Sequence, residues 1–60
     1  MYSKLKGIMT EKEVKQLELA NILNMSVSTL NFKINGKSDF YVNEAKKIAK
    51  YFDRKMDEIF

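Results

Sequence analysis

The 60-residue chain has no cysteine, proline, histidine or tryptophan, and only two glycines. The lack of cysteine rules out disulfides, thiolate zinc sites and a cysteine nucleophile; the lack of histidine also removes the usual zinc ligand and the commonest general base. Neither a metal site nor a cofactor is expected. An enzyme is the weakest reading. There is no glycine-rich phosphate loop, and Asp57 and Glu58, adjacent on a helix, point to different sides instead of forming an acid–base pair. No apolar run approaches the ~20 residues of a spanning helix. The opening residues, Met1 to Lys6, lack a signal peptide's hydrophobic segment. The expectation is a cytoplasmic protein with no membrane partner. A chain of this length buries roughly 60% of its unfolded surface, so one domain over residues 1–60 with a small core is expected and a large substrate cleft is not. Too few loop-formers for an all-β fold and 45% hydrophobic residues, too many for disorder, leave an all-α fold.

Eleven basic residues against eight acidic ones give a net charge of +3, which suits a polyanionic partner without requiring one. The distribution says more: from Asn21 to Ser38 there are two lysines and no acid. Leu5, Ile8 and Met9 recur at helical spacing and predict a first helix over about a dozen residues, with Ser3 as its N-cap and Gly7 tolerated inside it. Thr10 and Glu13 match a capping box, but Met9 continues the apolar stripe, so the match is read as a decoy. A second helix is predicted from Gln16 to Leu23. Asn24 suits a left-handed helix end and Ser26 an N-cap, so a third helix follows across a tight turn from Val27 to about Asn35, buries Leu30 and Ile34, and stops at Asn35–Gly36. Val42, Ala45, Ile48, Ala49 and Phe52 predict a fourth helix whose Lys46, Lys47 and Lys50 read as solvated surface. Met56 to Phe60 predict a final turn or two.

Two short helices joined by a tight turn, the second held by few buried residues, form the arrangement that presents one helix to the major groove of DNA. Ala20 has the small side chain needed where such helices cross closely. The runs Gln16-Leu17-Glu18-Leu19-Ala20, Leu23-Asn24-Met25-Ser26, Ser28-Thr29-Leu30-Asn31 and Ile34-Asn35-Gly36-Lys37 resemble the Cro and repressor type of helix-turn-helix regulator of bacteriophages and their hosts. The resemblance covers nearly the whole chain. It implies a lambda-repressor-like bundle of about five helices, binding of a double-stranded DNA operator as a homodimer, and control of transcription in a phage or bacterium. The chain departs from the family pattern at Asn24, where glycine is usual; at Lys15, where a Ser or Thr cap is usual; and at Phe32, where a polar residue is usual.

With Leu30 and Ile34 facing inward, Val27, Ser28, Asn31 and Phe32 are the candidate base readers. Ser28 and Asn31 serve as hydrogen-bonding groups, and Val27 and Phe32 as contacts for thymine methyls. For Phe32 a protein surface, or folding back over the core, stays open beside DNA. Candidate phosphate contacts are Gln16, Ser26, Lys33, Asn35, Lys37 and Ser38. Phe52 and Ile59 are expected to close the core over the first helix, leaving Met56 and Phe60 as candidates for a dimer interface. The alternative function is a protein-interaction module, a modulator or antirepressor with another repressor protein as partner.

Overall fold

The computed structural model describes residues 2–60. It contains five helices: α1 (Ser3–Glu11), α2 (Gln16–Leu23), α3 (Val27–Ile34), α4 (Val42–Phe52) and α5 (Met56–Ile59). The described residues form no strand, as the composition predicts. Each helix gives one apolar stripe to a shared core. Leu5, Leu19, Leu30, Ile34, Ile48 and Ile59 are fully enclosed, and Ile8, Met9, Ala20, Leu23 and Phe52 pack around them. α2 packs on α3 and α4, while α5 bridges α1 and α4. Phe52 and Ile59 are both buried, and α5 lies against α1, so they close the core where the apolar spacing expected.

The ends of α1, α2, α3 and α4 are all built alike. One residue takes a left-handed conformation: Glu13 (φ 55°), Asn24 (φ 57°), Gly36 (φ 80°) and Asp53 (φ 55°). In each case its N–H and the next N–H turn back onto the last helical carbonyls. After α2, Asn24 donates to the Asn21 carbonyl (3.2 Å) and Met25 to that of Ala20 (3.0 Å); after α3, Gly36 donates to Lys33 (3.0 Å) and Lys37 to Phe32 (3.1 Å). This double bond satisfies carbonyls that a helix end leaves open. In two of the four, the residue that follows is apolar and packs on the core: Val14 and Met25. Thr10 lies within α1 and its hydroxyl donates to the Lys6 carbonyl (3.0 Å), so Thr10 and Glu13 mark the end of a helix and not a start.

Helix starts rely on glutamates. The carboxylates of Glu18, Glu44 and Glu58 reach back to accept the backbone N–H of Lys15 (3.4 Å), Tyr41 (2.9 Å) and Lys55 (3.0 Å). The start of α2 is thereby satisfied without the side-chain cap whose absence at Lys15 stood out in the sequence. Ser3 is not the cap of α1, contrary to the sequence expectation. It is the first helical residue, and Tyr2 holds the capping position. A long-range contact fixes that start: the Tyr2 N–H donates to the Ile34 carbonyl at 2.8 Å. The Tyr2 ring meets Phe40 (5.2 Å between centroids) and Phe60 (5.5 Å), which also meet each other at 5.5 Å, all edge to face. Phe60 is therefore partly buried in the protein's own packing, whereas Met56, the other candidate for a dimer interface, is exposed.

Candidate nucleic-acid interface

α2 and α3 are joined by Asn24, Met25 and Ser26. Ser26 caps α3 by accepting the Thr29 N–H (3.1 Å), and its own O–H is directed to the Thr29 hydroxyl (2.9 Å). Leu30, Lys33 and Ile34 are the buried residues of α3. The rest of the helix faces outward, so Val27, Ser28, Asn31 and Phe32 are all exposed, Phe32 by 52% and Val27 by 39%. Val27 lies nearer the buried side by helical angle and gains its exposure from standing first in the helix.

Three side-chain amides connect across this surface. The Asn31 Nδ2 donates to Gln16 Oε1 at 3.3 Å, and the Asn35 Nδ2 donates to both the carbonyl (3.0 Å) and the Oδ1 (3.1 Å) of Asn31. α2 therefore buttresses the exposed amide of α3 from one side, and the end of α3 holds it from the other. Gln16 keeps its Nε2 hydrogens for a further acceptor.

Three of the expected phosphate contacts have partners within the chain, and burial takes one of them, Lys33, away from any phosphate. Lys33 is buried, 6% exposed, and its ammonium pairs with Glu44 at 2.7 Å while lying 4.3 Å from the Tyr41 ring centroid. Asn35, which is exposed, uses its amide nitrogen on Asn31 and so supports it. The Ser26 hydroxyl hydrogen is committed to Thr29. Gln16, Lys37 and Ser38 remain, with Lys37 Nζ 5.6 Å from the centroid of Phe32. Ser38, Ser28, Thr29, Phe32 and Lys33 line a shallow concavity of about 270 Å³ beside α3.

Burial pushes the Glu44 pKa upward, but the Lys33 hydrogen bond, the Tyr41 N–H and the charges of Lys33 and Lys47 outweigh it and hold the carboxyl below its usual value. The pair fixes α3 against α4. Sequence reading missed Leu17, which is 60% exposed beside Gln16. The signal was present: Leu19, Ala20 and Leu23 define the buried face of α2, and Leu17 falls opposite it.

Among the described residues no group of His, Cys, Asp and Glu is arranged to hold a metal, and no helix is long and apolar enough to cross a membrane. A family model described as the BetR domain matches residues 3–60. No curated protein and no solved structure matches the chain significantly.

Proposed function

The chain belongs to the BetR domain family, a helical DNA-binding regulatory domain, and on that premise we propose that it is a sequence-specific double-stranded DNA-binding transcriptional regulator of the Cro and repressor kind, encoded by a phage or prophage. α3 enters the major groove, with Val27, Ser28, Asn31 and Phe32 toward the bases and Gln16, Lys37 and Ser38 toward the phosphates. The observation that carries this reading is the exposed Asn31 amide, held in place by Gln16 and Asn35. An amide fixed before binding loses little side-chain freedom when it meets a base edge, and that is what an interface selected for recognition needs.

One reading helix contacts few base pairs, so operator selection calls for a second copy whose α3 sits about 34 Å away on the same face of the duplex. Met56 is the exposed apolar residue of α5 that supports such pairing. The test is a gel shift on the protein's own promoter region with unlabelled competitor DNA at two salt concentrations. A shift that survives competitor supports the reading. The second reading, a module that binds another repressor protein, draws on the apolar exposure of Phe32 and Leu17. It predicts no specific shift at either salt concentration.

A further inference from the structure

The constraint on Asn31 says which base it is prepared to meet. A side-chain amide offers two N–H donors and two carbonyl lone pairs. One N–H is taken by Gln16 Oε1 (3.3 Å) and one lone pair by the Asn35 Nδ2 (3.1 Å). Asn35 is itself anchored on the Asn31 backbone carbonyl at 3.0 Å, which fixes the side of the Asn31 amide that carries oxygen. One N–H and one lone pair remain. In the major groove adenine presents an acceptor at N7 and a donor at N6, whereas guanine presents acceptors at both N7 and O6. The remaining pair matches adenine and would leave the Asn31 oxygen facing an acceptor on guanine.

The neighbouring residues point the same way. Guanine is most often read by an arginine or lysine. The single cation of α3 is Lys33, held by Glu44 at 2.7 Å, and the single arginine of the chain, Arg54, pairs with Glu11 at 2.9 Å. Beside Asn31, α3 offers the Ser28 hydroxyl, which suits either kind of base, and two exposed apolar groups, the Phe32 ring and, at the start of the helix, Val27. An apolar surface in the major groove finds its counterpart in the thymine 5-methyl, since that is the hydrocarbon group the bases display there.

We propose that α3 selects A·T base pairs, with Asn31 reading an adenine and the Phe32 ring seated on the methyl of a neighbouring thymine. The proposal rests on the DNA-binding reading above and specifies its ligand. The experiment selects binding sites from a random duplex pool with the intact chain and with Asn31→Ala and Phe32→Ala. Atoms of the selected site are then replaced one at a time. The expected site carries adenine at the position whose preference disappears in Asn31→Ala. Substituting 7-deazaadenine there weakens the wild type roughly tenfold and leaves Asn31→Ala unaffected. Substituting deoxyuridine for the thymine removes one methyl and weakens the wild type roughly fourfold, with no effect on Phe32→Ala. Asn31 and Phe32 are both exposed, so the two variants are expected to keep the wild-type melting temperature; if Asn31→Ala does not fold, the wild type decides alone, and a selected site with no adenine sensitive to the 7-deaza replacement overturns the proposal. Guanine at the Asn31-dependent position, or indifference of the wild type to loss of the methyl, overturns the proposal while leaving DNA binding intact. A pool that yields no enriched sequence overturns the DNA-binding reading itself, and that failure is separate because no site then exists to modify.

Discussion

Around Tyr2, Phe40 and Phe60 three rings meet edge to face and shield one another, whereas on α3 the Phe32 ring stands half in solvent beside the Lys37 ammonium. The trio ties the start of α1, the loop before α4 and the end of α5 into one cluster, and each such pair contributes about 0.5–1.5 kcal/mol beyond the area it buries. Phe32 holds no comparable place in the packing. Charged residues divide similarly: buried Lys33 pairs with a partly buried Glu44, while Arg54 and Glu11 pair at the surface, where an ion pair is worth about 0–1 kcal/mol. The residues that hold the fold are therefore distinct from the exposed ones proposed to recognise DNA, and the division can be broken at named positions.

The largest effect is expected from Glu44→Gln. It leaves Lys33 buried without a counter-charge, at a cost of about 3 kcal/mol, the lower end for a broken buried pair. Urea denaturation followed by circular dichroism measures this, and a loss below about 1 kcal/mol would mean that Lys33 swings out to solvent. Next comes the pair Phe60→Ala and Phe32→Ala. The first empties part of the ring cluster and is expected to cost about 2 kcal/mol, below the range for a fully buried ring. The second is expected to change stability by less than about 0.5 kcal/mol. Equal melting temperatures for the two variants would erase the contrast between the regions.

Acid gives a smaller effect with a definite sign. The folded-state pKa of Glu44 lies below its usual value of about 4.5, so its contribution is present above that pH and is lost as the pH falls through the lowered value. Wild type and Glu44→Gln are thus expected to differ in urea midpoint at neutral pH and to converge as the pH falls below the usual carboxylate range and Glu44 takes up its proton. A constant difference across that window would assign the loss to packing. Smallest are two gains. Gly7→Ala, where an added Cβ meets nothing within 4 Å, and Glu13→Gly, which relieves a left-handed glutamate, are each expected to stabilise by about 0.5–1 kcal/mol, read as higher melting temperatures.

Much of this fold was legible because its signals are local. Gln16–Leu23 and Val27–Ile34 follow from apolar spacing, and Asn24, Ser26 and Gly36 announce the turns that bound them. Misreadings arose where a distant residue decides. Ser3 has the chemistry of a cap, yet the start of α1 is set by Tyr2 bonding Ile34 far along the chain. Lys33 stands in an acid-free run of sequence, but Glu44, eleven residues away, supplies the acid in space. Phe60 reads as spare hydrophobic surface until Tyr2 and Phe40 are seen beside it. For the candidate interface, the outward faces of Asn31 and Phe32 came from the 100° helical step, while the amide chain through Gln16 and Asn35 joins two helices and needed coordinates.

The interior pairing of Lys33 with Glu44 also bears on how a DNA-binding protein searches. Sequence-independent attachment to duplex DNA comes from cations facing phosphates, and every site in a genome competes through it. A lysine neutralised inside the domain adds nothing to that competition. On the reading proposed above, through neutral amides and aromatic carbon with Lys37 as the cation nearest Phe32, the domain is held less firmly on random DNA. Phosphate contacts hold correct and incorrect DNA alike, so fewer of them leave fewer copies idle on random sequence, while the choice between sites rests on the base contacts.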